Sequence, residues 1–434
     1  MLIRKAFRFR LRTSPGIDKA LSIQAGHARF VWNKALALNL GRLERREPIV
    51  WYRDLAGLLR LWKQSEEYGF LKEAHSQVLQ QRLMDLERAF RDAFDRNQPG
   101  KRLPVFKKKG THGSFRYPQG FKIDEANSRI YLPKLGWVRY RKSRDIEGTP
   151  KQVTVSRAGG CWYVSIQVET EIETPRHSTV SAVGIDLGIT RFATLSDGTV
   201  FEAANSLKRH QERLARCQRS LSRKQKFSHN WRKAKTKITK LHQRIANIRR
   251  DTLHKASTVI CQNHAMVVIE DLRVRNMSKS AAGTNENPGR NVKAKTGLNR
   301  SILDQGWFEF RRQLEYKQGW YGGWVIAVQP ANTSRTCPEC GHVDAGNRIT
   351  QAQFKCLACG HAENADLVAA KNILSRGMQN LRDEGQDTAD ASVGTERSAR
   401  IACEVNGATR PSATGTRRRD PAYVGLDAAG IPAL

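Results

Sequence analysis

Val183-Gly184-Ile185-Asp186-Leu187-Gly188-Ile189-Thr190 runs directly into Arg191-Phe192-Ala193-Thr194-Leu195 and, past Ser196-Asp197-Gly198, into Thr199-Val200-Phe201. Apolar runs punctuated by a Gly-containing turn predict three consecutive strands, with Gly198 supplying the unusual φ of the hairpin between the second and third. Asp186 is the carboxylate inside the first run. A buried charge without a partner costs on the order of several kcal/mol, so something must stabilise it. A metal ion would do so, as would an ion pair with Lys or Arg or a solvated strand end.

Composition narrows the partners. A chain of 434 residues has material for about three domains. Lys and Arg outnumber Asp and Glu by 75 to 41, and an excess of 34 positive charges calls for a polyanion, nucleic acid by default. The N-terminus alternates charged with apolar residues, and nothing reads as a membrane span or a signal-peptide core. A soluble, cytoplasmic protein is therefore expected. Of eight cysteines, four cluster and four (Cys161, Cys217, Cys261, Cys403) are scattered, which predicts a metal site and free thiols.

Residues 3–12 alternate, Phe7, Phe9 and Leu11 on one face and Arg8, Arg10 and Arg12 on the other. Helical spacing follows over 14–104, carried by Leu21, Ala25, Ala28, Val31, Ala35 and Leu38, then Leu79, Leu83, Leu86, Phe90 and Phe94. Strand signals return at Phe106-Lys107-Lys108-Lys109, Ile130-Tyr131-Leu132 and Val138-Arg139-Tyr140-Arg141. A hairpin of Val153-Thr154-Val155 with Trp162 to Val168 completes them. Residues 1–13 and 105–178 are thus expected to build one β-barrel-like domain interrupted by the helical insert. Arg8, Arg10, Arg12, Lys107, Lys108 and Lys109 would line its phosphate-binding face.

Residues 207–250 hold 16 Lys or Arg and one acid, Glu212. Leu207, Leu214 and Leu221, then Ile238, Leu241, Ile245 and Ile248, give two apolar stripes, and Phe227-Ser228-His229-Asn230 reads as the turn between them. A helical hairpin over 207–264 is expected, with Arg223, Lys224, Arg232 and Lys233 as nucleic-acid contacts. The strand Met266-Val267-Val268-Ile269 ends in Glu270-Asp271-Leu272. Residues 276–299 read as a mobile loop, then come a helix around Ile302–Leu314 and a strand, 324–328.

Cys337-Pro338-Glu339-Cys340 and Cys356-Leu357-Ala358-Cys359 are two C-x-x-C knuckles whose four thiolates can wrap one structural zinc tetrahedrally. His342 and His361 read as spectators. The following helix, Asn364 to Leu374, has Asn364 as cap and Asp366 in its first turn, where an acid is ordinary on dipole grounds alone. From about Gly377 to residue 434 periodicity fades; this stretch, with Arg417-Arg418-Arg419 as a minor basic patch, is expected to be disordered.

The order of elements resembles the ribonuclease H-like (RuvC) fold, so the fold class expected is α/β multidomain, with a zinc ribbon (331–360) inserted in a nuclease domain (179–330 and 361–376). The G-I-D-L-G strand, the V-V-I-E-D-L strand, the S-R-T-C-P-E-C-G and C-L-A-C-G-H knuckles and the N-A-D-L-V-A-A-K-N-I-L helix resemble the TnpB family, the OrfB-type proteins of insertion sequences. Phe9-Arg10-Leu11, Arg29-Phe30-Val31-Trp32-Asn33 and Ser114-Phe115-Arg116-Tyr117-Pro118 fit the same family, and the likeness covers about residues 3–376. It implies an RNA-guided DNA endonuclease with a wedge-like β domain and a helical recognition domain. The partners implied are a guide RNA from the element's own locus, target DNA and a transposase encoded nearby, in a prokaryotic cytoplasm at the nucleoid. It further implies Asp186, Glu270 and Asp366 as catalytic ligands of Mg²⁺ or Mn²⁺, and Cys337, Cys340, Cys356 and Cys359 as zinc ligands.

Val368 departs from the family, which often has Asn two residues after the last Asp; the substitution bears on fine positioning around the site. Asp271 is an ambiguity, since it and Glu270 point to opposite faces of a strand. Three rival readings remain. An actin-like ATPase would lack a role for the knuckles and would not be this basic. A guide-dependent regulator with a decayed site would have lost an acid. A strand-joining transposase shares the fold.

Overall fold

The computed structural model describes residues 1–110 and 113–389, side chains of 384–389 excepted. The expected disordered tail beyond 389 and its Arg417-Arg418-Arg419 patch lie outside the described residues. The chain divides into two compact units, Leu2–Ile172 and one beginning at Glu173. Among the described residues no helix is long and apolar enough to cross a membrane.

In the first unit β1 (Leu2–Arg10) leads into α1 (Pro15–Glu44), α2 (Tyr52–Gln64) and α3 (Ser76–Phe94). Ser14 starts α1, its hydroxyl accepting from the Ile17 amide at 3.4 Å, with Pro15 opening the helix where its missing N–H costs nothing. Six strands follow: β2 (Gly113–Tyr117), β3 (Lys122–Asp124), β4 (Arg129–Leu132), β5 (Gly136–Arg139), β6 (Thr149–Ala158) and β7 (Cys161–Glu171). Phe7, Phe9 and Leu11 are buried with Phe115, Tyr117, Trp162 and Ile166, so the alternation of β1 does face a core.

The expected closed barrel is not found among the described residues. Antiparallel pairing gives a four-stranded sheet, β1-β7-β6-β2, and a separate β3-β4-β5 sheet, with one bridge between Leu11 and Tyr140. The strand expected at 106–109 is irregular, which removes one of the staves. Its backbone is paired instead by side chains of α1: Asn33 Nδ2 donates to Lys107 O at 3.0 Å, Lys107 N donates to Asn33 Oδ1 at 2.8 Å, and Trp32 Nε1 donates to Val105 O at 3.1 Å.

In the second unit β8 (Ala182–Leu187), β9 (Arg191–Leu195) and β10 (Val200–Glu202) are antiparallel neighbours, and Gly198 has the positive φ (+90°) expected of the turn. The basic hairpin is α4 (Gln211–Ser222) and α5 (His229–Asn263), joined over Leu214, Leu241 and Ile245. Next come β11 (Met266–Glu270), α6 (Val274–Met277), α7 (Val292–Gln305), α8 (Trp307–Tyr321) and β12 (Trp324–Val328). β13 (Gln353–Lys355), β14 (Ala362–Asn364) and α9 (Ala365–Ala389) complete the described elements. Two boundaries differ from the sequence reading. The stretch read as a loop to 299 turns helical at Val292, and α9 runs through Gly377 to Ala389.

Sheet order is β10-β9-β8-β11-β12, with β8, β11 and β12 parallel. The period of two sorts the strand residues. Val183, Ile185, Val267 and Ile269 pack against Ala256, Ile260, Phe310 and Leu314 of α5 and α8. Met266 and Val268 face α9, packing with Ile373. Gly184 lies on that same face, and a Cβ there would come within 2.1 Å of Ala370 O and 2.7 Å of Leu374 N, both backbone atoms. Gly184→Ala must therefore push α9 off the sheet. A loss of about 1–3 kcal/mol is expected in denaturant unfolding; an unchanged midpoint would disprove the close approach.

Candidate functional site

Parallel register fixes the first two acids. Ile185 pairs with Ile269, so Asp186 and Glu270 follow side by side at the carboxyl ends of adjacent strands, about 4.8 Å apart along the sheet. Both share the α9 face with Gly184 and Val268. α9 then brings the third acid. Asn364 caps it, Oδ1 accepting from Asp366 N at 3.0 Å and Leu367 N at 3.4 Å, and Asp366 sits in the first turn.

Asp186 senses the other two carboxylates. Burial pushes the Asp186 carboxyl up to about 7, and the charges of Glu270 and Asp366 add to the rise. Arg348, 3.8 Å from Asp366, and the Leu187 amide oppose it. Burial also raises Glu270, against the Thr333 hydroxyl, which donates to its Oε1 at 2.7 Å, and the charge of Arg376. A pocket that favours protonated carboxyls is one that a cation would relieve. Oxygen donors of this kind suit a hard divalent ion.

Asp271 points the other way, to Arg311 of α8, which resolves the choice between it and Glu270. Val368 lies away from the acids as well. It is fully buried with Cys337, Phe354, Cys356 and Ala365, so it packs helix to knuckle.

The four cysteines converge. Cys337 Sγ lies 3.6 Å from Cys359 Sγ and Cys340 Sγ lies 3.5 Å from Cys356 Sγ, and all four ligand atoms lie within 4.8 Å of one another. Tetrahedral zinc with Zn–S bonds of about 2.3 Å needs sulfurs roughly 3.8 Å apart, so the set fits. Amides of Cys359 and Ala358 draw the Cys356 thiol down to about 6, while Cys340 is raised and Cys359 is pushed up to about 12 among its neighbouring thiols.

Sequence reasoning missed the groups that hold Glu270 in place. Asn372 of α9 donates Nδ2 to Thr333 O at 2.8 Å and Thr336 O at 2.7 Å, clamping the segment whose Thr333 hydroxyl grips Glu270. Both residues lie inside quoted motifs or beside them, yet only the fold pairs them. Among the expected nucleic-acid contacts, Arg10, Arg12, Lys108, Lys109, Arg223, Arg232 and Lys233 are exposed and Lys224 is half-buried. Arg8 lies over the Tyr163 ring at 4.2 Å. Lys107 sits 3.4 Å from the Trp32 ring centroid, its ammonium lowered to about 7 by burial and by Arg82.

Fold and site define an α/β protein with an acidic pocket at the ends of parallel strands, next to a four-cysteine knuckle. A family model described as "Probable transposase" matches residues 165–281, and one for the Cas12f1-like TNB domain matches 307–373. A third, described as a helix-turn-helix domain, matches 1–48, which here holds β1 and one 30-residue helix. The chain is 54% identical over 373 residues to the "Putative RNA-guided DNA endonuclease InsQ" of Escherichia coli K12, covering 86% of this chain and 92% of that one. A Streptomyces pristinaespiralis protein of the same description is 34% identical, covering 87% and 90%. The CRISPR-associated endodeoxyribonuclease Cas12f1 of Sulfoacidibacillus thermotolerans is 28% identical over 49% of each chain. The chain belongs to the TnpB family.

Two measurements probe the pocket. Folding holds the Asp186 proton well above the pH at which an unfolded carboxyl loses it, near 4. The native state binds the extra proton, so Asp186 makes stability fall as pH rises from about 4 to about 7. Without added divalent ion, Asp186→Asn should melt increasingly above the parent from pH 5 to pH 8; a lower melting temperature at pH 8 contradicts this. Thr333→Val leaves Glu270 short of a donor and should lower stability by roughly 1–3 kcal/mol. Thr333→Ser should restore it.

Proposed function

We propose that the chain is an RNA-guided, divalent-metal-dependent DNA endonuclease encoded by a transposable element. It would hydrolyse phosphodiester bonds of target DNA beside a short recognition motif. The observation that carries the reading is that Asp186 and Glu270 end adjacent parallel strands on the face that α9 covers, with Asp366 in the first turn of that helix, close enough for the charges of Glu270 and Asp366 to add to the rise that burial gives Asp186. The sheet is read as ribonuclease H-like (RuvC), residues 331–360 as a zinc ribbon and the first unit as wedge and recognition domains. Family membership supports each of these.

In this reading Asp186, Glu270 and Asp366 hold Mg²⁺ or Mn²⁺. The ions would supply an activated water and neutralise the leaving oxygen. Thr333 keeps Glu270 aimed into the pocket, and Asn372 keeps Thr333 in place. Cys337, Cys340, Cys356 and Cys359 hold zinc away from the chemistry, with four protein ligands leaving no open position. Sequence is read by guide pairing, while exposed cations grip backbones.

The protein should be purified after co-expression with its flanking locus, its bound RNA sequenced, and plasmids bearing the guide-matched sequence beside randomised flanks tested for Mg²⁺-dependent cutting. Bound RNA, with cutting that Asp186→Ala abolishes while target binding persists, is the expected result. Target binding without cutting would make the chain a guided regulator, and absence of RNA would end the guided reading. Cys356→Ser should lose zinc in a chromogenic release assay and cleavage with it.

A further inference from the structure

The tip of the α4–α5 hairpin carries a feature that phosphodiester hydrolysis does not use. Between Ser222 and His229 the chain turns through Phe227, whose φ is +67°. A bulky side chain rarely adopts that conformation because Cβ crowds the backbone; Gly or Asn is the ordinary occupant. Phe227 is also 69% exposed. The isolated chain thus bears backbone strain and a largely wetted aromatic residue at one position, whose ring meets only that of Trp231 among the ring contacts of the described residues.

The turn is firmly built, so the ring is held out on a fixed support. Ser228 caps α5, its Oγ accepting from Trp231 N at 3.1 Å. The Phe227 and Trp231 rings lie 5.5 Å apart at 54°, and Lys235 Nζ lies 4.9 Å from the Trp231 ring. Arg223, Lys226, Arg232 and Lys233 are exposed around the pair. Along this basic arm the ion pairs formed among the described residues begin only at Arg249 with Asp304 and Lys255 with Asp251. The tip is therefore an aromatic surface inside an unneutralised positive field, and the matching partner is apolar and flat with anionic edges.

We propose that Phe227 and Trp231 form a stacking platform for an unpaired nucleobase, with the surrounding cations on the flanking phosphates. The proposal rests on the nucleic-acid reading above and adds to it a base contact outside the nuclease pocket. Cations alone would satisfy a duplex backbone, and glycine would make the turn without strain. The ring earns its place only where a base is free to lie on it. Stacking of this kind tolerates any sequence because every base has a π-face. Guide RNA and a displaced DNA strand both offer unpaired bases.

The test uses the full chain with single-stranded RNA and DNA oligonucleotides carrying 2-aminopurine, titrated at several salt concentrations. The parent should bind and change the probe's fluorescence on RNA, on DNA or on both, which names the source of the base. Phe227→Gly should melt higher, because the strain at φ +67° is relieved, yet bind about tenfold more weakly with an unchanged salt slope and no fluorescence change. Phe227→Trp should restore binding, whereas Arg232→Gln should lower the salt slope by about one. Phe227→Gly binding as tightly as the parent, with the fluorescence change intact, overturns the platform but leaves the nucleic-acid reading standing. Failure of the parent to bind either oligonucleotide overturns both. Ring-dependent capture by vesicles of anionic lipid, without effect on oligonucleotides, assigns the tip to membranes and overturns it as well.

Discussion

Three carboxylates are forced together by apolar packing that has nothing to do with charge. Two like charges 4 Å apart repel by about 4 kcal/mol at an effective dielectric of 20. Full burial of a Val, Leu or Ile side chain contributes roughly 1.5–3 kcal/mol. Between the sheet and α9 lie Met266, Val268, Val328 and Ile373, whose packing exceeds the repulsion of one such pair. Glycine sharpens the result. Gly184 lets α9 backbone reach β8, and Gly377, whose Cβ would come within 2.6 Å of Val268, does the same toward β11. The helix cannot back away from the strands to relax the acids. What remains adjustable is proton occupancy: burial raises both the Asp186 and Glu270 carboxyls, and at Asp186 the neighbouring acids add to it.

Charge is divided unevenly within the second unit. The pocket gathers acids where the strands end, while α4 and the first half of α5 carry unpaired cations outward from an apolar seam of Leu214, Leu241 and Ile245. That seam is thin for the length of α5, and like charges along it oppose one another. The hairpin is therefore stable because α5 continues into the core, where Leu253, Ala256 and Ile260 pack beside the sheet. The buried end anchors the charged end. A polyanion meeting the arm would remove repulsion that the core now has to carry.

Local patterns were readable in the sequence, and long-range exchanges were not. Asp186 stands out as a charge in an apolar strand, the four cysteines as paired knuckles, and Glu270 as a strand-end acid; Asp366 is ordinary on helix-dipole grounds, and only the family resemblance singles it out. Residues 106–109 read as a strand, but Asn33, far away in sequence, supplies the pairing that a neighbouring strand would have given. Gly377 reads as the end of order because periodicity fades there; it is an interior residue of α9 in contact with Val268. Val292 was hidden by the Gly/Asn/Lys composition before it. Thr333 and Asn372 carry no local signal at all, because a hydroxyl and an amide have meaning only once the fold sets them against Glu270.

The knuckle's place in the chain, between the strand of Glu270 and the helix of Asp366, gives it a mechanical consequence. Asn347 is fully buried and braces its two halves, donating to Arg335 O at 2.9 Å and His342 O at 3.1 Å and accepting from Leu357 N at 2.9 Å. The next residue, Arg348, is the cation beside Asp366. Upstream, the same segment supplies Thr333 to Glu270; downstream, β14 ends at Asn364, the cap of α9. Each acid outside β8 is thus set by a residue that enters or leaves the four-cysteine cluster. Four thiols gathered within 4.8 Å repel as thiolates and hold no packed core of their own beyond Phe354 and Val368. Loosening the four-cysteine cluster would loosen Thr333, Arg348 and Asn364 together, so the cluster bears on the placement of Glu270 and Asp366.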